Sequence, residues 1–493
     1  MHHIFDKIKK HWEYGLGRTA IAAICAHSVS ISIGICQGYS AILIPQLLNS
    51  TESIKIDLEQ ASWLASFGAI TNPIGSILSG LIAEWFGRKI SIQFSSIPFI
   101  IGWICVSLSE NIHILYIGRL ITGIAAGMAT ASYTYVSEIS TASTRGTFQA
   151  LGPVSASFGI LLTYSLGYFF HWKITSLLSI IFALFTLITV HFLPESPSFL
   201  YKKKKKDSTK KSLFWFRRNL ILVQDEYNRF EEYNLNKNQD KFSLRYYFSK
   251  ETTKPFLILL ILFLLQEASG IYAILFYSVN FFKDAKIDID EFISSIIVGL
   301  IRFVMSILGA ILINKFNRKS LCLISSFGMA LSMFVILGYL KYLELTKTKN
   351  TFTIIPLICV LANVFFSMIG MLPIPWILVG ELFSIRVRSI MMGLVICLAQ
   401  IFIFISVKFY PLSIETFKFF GTCTIFFIAS ILSVLFSRFV LPETKNKTLE
   451  EIEETFKHKI SLKNNFGVIN KAFDLKSEIN RNDLNGVFTV KLS

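Results

Sequence analysis

The sequence predicts an all-α membrane protein with twelve transmembrane helices in two six-helix bundles. Three observations carry this. First, 53% of the 493 residues are hydrophobic, 46 of them Phe, and only 16% are charged, against about 25% charged in a typical soluble domain. With a mean hydropathy of +0.56, so apolar a chain cannot hide its side chains in one soluble core. Second, twelve apolar runs each approach the roughly 20 residues that cross a bilayer. Third, charged motifs of the first half recur in the second.

In chain order, a polar, basic segment (1–19, "MHHIFDKIKKHWEYGLGR…") comes first. No short apolar stretch with a small-residue cleavage site follows it, so the first span is expected to act as the anchor. Candidate spans 1–6 cover about 20–45, 61–83, 91–109, 113–136, 147–169 and 173–192, forming an N-terminal bundle over 20–192. A basic loop (193–253) containing "YKKKKKDSTKK" separates them from candidate spans 7–12, at about 254–282, 292–313, 319–341, 352–380, 389–411 and 417–440. These form a C-terminal bundle over 254–440, and a polar tail (441–493) closes the chain.

With twelve spans the basic segments fall on one side: the N-terminus, "FGRK" (86–89), the lysine run, "FNRK" (316–319), "RVR" (386–388) and "LPETKNK". The positive-inside rule makes that side, and both termini, cytoplasmic. The net charge of +16 then reads as loops facing anionic lipid rather than as nucleic-acid binding. Asn49 opens a sequon, Asn49-Ser50-Thr51, in the first outward loop and is a candidate glycosylation site. The seven cysteines all lie in apolar runs without metal-ligand spacing and read as small buried hydrophobes.

The two halves repeat. Glu138 and Arg145 in "SEISTASTR" are echoed by Glu381 and Arg388 in "GELFSIRVR", each pair seven apart, and "FGRK" is echoed by "FNRK". Parallel six-span repeats describe a secondary transporter with its solute between the halves near the midplane. Arg88, Arg119, Glu138 and Arg145, with Arg318, Glu381 and Arg388, are expected to form a cytoplasmic salt-bridge latch between the bundles that holds when that side is shut and separates when it opens. The plainer reading is that the basic residues are only orientation markers; the two repeated glutamates argue against it.

Prolines 73, 153, 373 and 375 lie inside candidate spans. Bends there are tolerated where freed carbonyls meet protein or a wet cavity. Trp376 beside such a bend offers a flat apolar face suited to a sugar ring, although a packing role is equally open. Span 7 holds Gln266, Glu267, Ser269 and Tyr272 within two helical turns, with 266, 269 and 273 on one face and 268, 272 and 276 on another. Glu267 and Arg302, opposite charges on consecutive spans, are expected to partner each other.

In order along the chain, "GLIAEWFGRK", "GRLITGIAAG", "YVSEIS", "LPESPSFL", "QEASGIYAILFYS", "PIPWILVGELF" and "LPETKNKTLEEIE" resemble the signature motifs of the sugar-porter family of the major facilitator superfamily. The resemblance covers about residues 20–457, and "SSIPFIIGWICVSLSENIHILYIGR" looks most like insect-type facilitative trehalose and hexose transporters. It implies the major facilitator fold and transport of a sugar by alternating access. It also implies sugar contacts at Gln266, Glu267, Tyr272, Arg302 and Trp376. Departures stand among these: Glu267 replaces a family glutamine, while Tyr272 and Arg302 each replace a family asparagine. Pro153 occupies a family glutamine position, and the second-half loop has Asn314 and Asn317 where the family has an acid and a glycine. Proton-coupled members carry a helix 1 carboxylate where this chain has Cys36, and a thiol is a poor proton carrier at neutral pH. A Glu267 paired with Arg302 would hold its charge. Uniport is therefore expected.

No cofactor or metal is expected, and no nucleophile, metal or phosphate-loop constellation marks an enzyme. The expected partners are a small sugar and the lipid bilayer, with the protein acting as a monomer in the plasma membrane. Two alternatives stay open: a polyol or organic-ion transporter on the same fold, selected by Glu267 and Arg302, or a non-transporting membrane sensor. The amphipathic "TLEEIEETFKHKI" would serve the sensor, but such a helix also caps ordinary transporters.

Overall fold

The computed structural model describes residues 15–48, 54–141, 144–236, 248–285, 289–346, 354–383 and 387–445, with 451, 452 and 456. Ten helices in it are long and apolar enough to cross a membrane. Spans 1–6 are Leu16–Leu48, Leu58–Trp85, Arg88–Ser107, Ile112–Ile139, Arg145–Phe169 and Trp172–His191. Spans 8, 9 and 10 are Glu291–Ile313, Arg318–Thr346 and Ile354–Glu381. The last, Arg388–Phe439, is two spans in succession, 11 and 12, because Lys418 (φ 58°, ψ 177°) leaves the helical path. Span 7 is assembled from three pieces, Lys250–Ala268, Ile271–Phe276 and Ser278–Asp284, which brings the number to the expected twelve.

The breaks within spans have local causes. Span 2 divides at Thr71, just before Pro73 at the start of its second piece, where the missing N–H costs nothing. Span 10 divides between Ile369 and Pro373 in the same way, and span 5 divides at Ala150, three residues before Pro153. Span 7 breaks without proline: Gly270 adopts φ +81°, and a Cβ there would meet the Phe426 ring at 2.5 Å. That break changes the helical phase, so positions 266–269 and 271–276 do not share one wheel as the sequence suggested.

With no hydrophobic drive between helices in lipid, close packing holds the bundle together. Spans 1 and 5 approach so closely that a Cβ on Gly34 would lie 1.9 Å from the Ala156 carbonyl oxygen, and one on Gly159 would lie 2.2 Å from that of Ile31. Many buried hydroxyls donate along their own helices, as when Ser179 donates to the Thr175 carbonyl at 2.7 Å and Ser326 to that of Cys322 at 2.8 Å. The outward surface is apolar: Ile77, Phe185, Phe327 and Ile428 are all more than half exposed, as side chains meeting acyl chains should be.

The described part of the basic loop is largely helical. It forms Pro197–Lys202, Lys206–Arg217 and Leu220–Asn236, docked on the first half. Arg217 holds Glu226 through two N–H groups (2.7 and 2.9 Å) and donates to the Ile139 carbonyl at 2.8 Å. Ser212 donates to the Glu195 carbonyl at 2.6 Å, and Lys202 pairs with Glu84.

Candidate functional site

At the basic end of each half stands the same ion network. In the first, Arg88 donates through Nε to Glu138 at 3.0 Å and through Nη1 to the Ala83 carbonyl at 3.0 Å. In the second, Arg318 donates through Nη2 to Glu381 at 3.1 Å and through Nη1 to the Ile313 carbonyl at 3.1 Å. Ser196 donates to Glu138, as Thr444 does to Glu381 at 2.5 Å. Glu195 accepts the backbone N–H groups of Arg88 and Lys89 (3.0 and 3.1 Å); Glu443 accepts those of Arg318 and Lys319 (both 3.1 Å). Burial raises the Glu195 carboxyl above its ordinary value, although those N–H groups and Arg88 pull it down.

The latch expected when the cytoplasmic side is shut is not formed in this conformation: Arg88–Glu138 and Arg318–Glu381 each lie inside one half. No described ion pair joins the halves at the basic end. Arg145 donates to the Ser137 carbonyl at 3.2 Å, also within its half. Arg388 opens span 11, but its side chain lies outside the described part of the structure, as does Asn49.

Arg119 does not belong at that end at all. It sits seven residues into span 4, which begins at the opposite face, and is fully buried. Its guanidinium donates to the carbonyls of Leu64 and Cys36 (both 3.2 Å) and to Ser40 Oγ at 2.7 Å, with Cys36 Sγ at 3.8 Å. Basic character suggested an end position; its depth along span 4 is what places it inside the first half.

The halves meet from the middle of the membrane toward the face opposite the basic one. Phe158 of span 5 packs on Phe303 of span 8, ring centroids 5.6 Å apart. Tyr164 donates to the Leu275 carbonyl of span 7 at 2.6 Å. Nearer that face, Lys408 of span 11 lies 3.9 Å above the Trp63 ring of span 2 and donates to Ser62 Oγ at 2.7 Å, while Phe404 lies 6.2 Å from Trp63. Sequence reasoning passed over Lys408, whose one signal was a lone cation inside an apolar run.

Polar groups without partners gather in the middle of the second half. Gln266 is fully buried and donates to the Leu372 carbonyl at 3.2 Å, leaving Oε1 free. Trp376 packs edge-on against Phe263 at 5.0 Å and lies near Tyr272. Gln266 is shielded from hydrocarbon, and Trp376 is partly exposed. Glu267 is buried, yet neither carboxylate oxygen has a hydrogen-bond partner. Arg302 is buried with Nε unpartnered, and its electrostatic neighbours are Tyr272 and Tyr164.

The expected Glu267–Arg302 pair is therefore not formed. Adjacency of spans did not fix side-chain direction once span 7 changed phase at Gly270. Tyr272 instead stands within electrostatic reach of both charges.

The chain has relatives among known proteins. The family model described as "Sugar (and other) transporter" matches residues 29–456. The chain belongs to the sugar-porter family of the major facilitator superfamily. It is 29% identical over 440 residues to the facilitated trehalose transporter Tret1 of Apis mellifera ligustica, covering 88% of each chain. It is 30% identical to the sugar transporter ERD6-like 6 of Arabidopsis thaliana, over 87% of this chain and 88% of that one. In fold it is similar to the xylose transporter XylE of E. coli in a partially occluded inward-open conformation (TM-score 0.73, 21% identity, 87% and 99% covered). A XylE structure bound to 6-bromo-6-deoxy-D-glucose matches equally (TM-score 0.73, 22% identity, 90% and 100% covered).

Within this sugar porter, Arg119 beside Cys36 gains meaning. Where the resemblance puts a carboxylate in proton-coupled members, a thiol faces a buried guanidinium that has only neutral acceptors around it.

Proposed function

We propose that this protein carries a sugar across the plasma membrane by facilitative alternating access, as a monomer, with its basic face and both termini cytoplasmic. The two bundles, 20–192 and 254–440, rock about a central site built from Gln266, Glu267, Tyr272, Arg302 and Trp376. The supporting observation is the asymmetry of contact. The halves join from the membrane centre to the outer face, around buried polar groups that lack partners, while the ion networks at the other end each stay within one half. Such groups cost free energy when unmet, and sugar hydroxyls are donors and acceptors that would meet them.

Trehalose and hexoses are the first solutes to try, trehalose because similar proteins carry that name. Uniport rests on Cys36 alone, because the reason for expecting Glu267 to keep its charge falls with the ion pair. The unpartnered Glu267 carboxyl and Arg302 guanidinium favour a second reading, in which a polyol or small organic ion is carried on the same path. Purified protein in liposomes, offered labelled glucose, trehalose, a polyol and a small carboxylate with and without a pH gradient, decides between these. Saturable counterflow of a sugar supports the first reading, preference for the polyol or carboxylate supports the second, and no counterflow of any solute refutes transport.

A further inference from the structure

Asn363 of span 10 is 1% exposed, and both Nδ2 and Oδ1 of its amide lack a hydrogen-bond partner. A buried structural asparagine ordinarily ties its amide to backbone; this one does not. It lines a cavity of about 10 Å³, room for about one hydroxyl, shared with Ile271 and Leu275 of span 7, Val298 and Arg302 of span 8, and Ser367. Ser367 already donates to the Val364 carbonyl at 2.8 Å, so its oxygen is left as an acceptor. Arg302 can only donate. In this cavity the Asn363 amide is thus the group that offers a donor and an acceptor side by side. The resemblance places asparagines on spans 7 and 8 at positions where this chain has Tyr272 and Arg302, so those two spans present no amide there.

We propose that Asn363 is a solute-binding residue that supplies, from span 10, the amide that Tyr272 and Arg302 do not offer, taking a hydroxyl that a sugar inserts into this cavity. That hydroxyl donates to Oδ1 and accepts from Nδ2, and Arg302 donates to it. The inference rests on the sugar-transport reading.

N363L tests it, because a leucine of similar size removes the amide and leaves the cavity filled. If Asn363 binds solute, N363L raises the KM for labelled glucose or trehalose at least tenfold, while its melting temperature equals or exceeds that of the wild type, since an unmet buried amide has been removed. Restoring an amide on span 8 in the R302N/N363L double variant then recovers part of the affinity. The wild type also discriminates against monodeoxy sugars lacking the contacted hydroxyl, and N363L does not. Should N363L not purify, N363S is read in the same way. A KM within twofold of wild type, or a deoxy-sugar profile identical to wild type, overturns the proposal. If the wild type takes up no sugar, it is the transport reading that fails; if the wild type transports and N363L matches it, only the role of Asn363 fails.

Discussion

Replacing Lys408 by methionine keeps the apolar stem and removes a charge that joins the halves near the face opposite the basic end, the outer face of the proposed orientation. Two interactions go with it, the donation to Ser62 Oγ at 2.7 Å and the position 3.9 Å above Trp63. Both Lys408 and Trp63 are half-buried, so the low end of each range applies: about 1.5 kcal/mol for a charged hydrogen bond and about 0.5 kcal/mol for the cation–π interaction. Because the partners belong to different halves, parting the outer face breaks both at once. The closed state should therefore be weakened by about 2 kcal/mol, which shifts the open-to-closed ratio roughly 30-fold. Spin labels at Leu58 and Leu412, both more than half exposed near the outer ends of spans 2 and 11, report this in proteoliposomes by pulsed dipolar spectroscopy. The K408M distance distribution should gain a longer component, and Trp63→Ala should give a smaller change in the same direction. Distributions that superimpose on that of the parent protein would refute the seal and with it the closed outer face.

Cys36→Asp places a carboxylate where the thiol lies 3.8 Å from the Arg119 guanidinium; uptake by this variant should become sensitive to an inward proton gradient, and a C36D protein as indifferent to the gradient as its parent would refute the coupling role of this position. The Arg88–Glu138 clasp, with both side chains about one-sixth exposed, should show a coupling of about 2 kcal/mol in an R88M/E138Q cycle measured by equilibrium unfolding. The two halves should behave independently, so that E138Q and E381Q add, whereas coupling between them would restore the idea of a latch. Glu195 has a folded-state pKa above its unfolded value. Its contribution to stability is complete below about pH 4.3 and is lost as pH rises through the elevated value. The melting temperature of wild type relative to E195Q should therefore fall as pH rises from 4 to 7, and a flat difference would show that burial does not govern this carboxyl.

The spans and the two-fold repeat were legible in the sequence because their signals are local. A 20-residue apolar run is long enough to count, and charges at helix ends repeat at matching offsets, as the Arg88 and Arg318 networks do. The unmatched parts are three-dimensional. Arg119 looked like a member of the end cluster until its depth in span 4 was known. Glu267 and Arg302 looked paired because their spans are consecutive, but the turn at Gly270 sets the direction of Tyr272 and Glu267 separately. Asn363 gave no signal at all: one asparagine in "PLICVLANVFFSMIG" has no spacing to mark it, and only its unmet amide and its neighbours single it out.

The two kinds of interaction, between the halves and within them, are suited to opposite tasks. Charges at a membrane surface that left their partners on each cycle would expose unpaired ions in a poorly hydrated cleft, at several kcal/mol per ion. The clasps avoid this: Arg88, Glu138, Glu195 and Ser196 bond to one another inside the first half, and Arg318, Glu381, Glu443 and Thr444 do so inside the second, with Arg318 Nε left over. Each half can then move as a body without breaking an ion pair. The outer seal has the reverse requirement, since it must open. One ammonium resting on an indole beside Asp57 and Glu59 is weak enough to release and keeps acidic neighbours to receive the charge when it does. Moving the strong pairing to the seal, by Ser62→Asp opposite Lys408, should consequently slow transport by holding the outer face shut, even though it adds a favourable ion pair. Faster or unchanged uptake by S62D would contradict this division of labour.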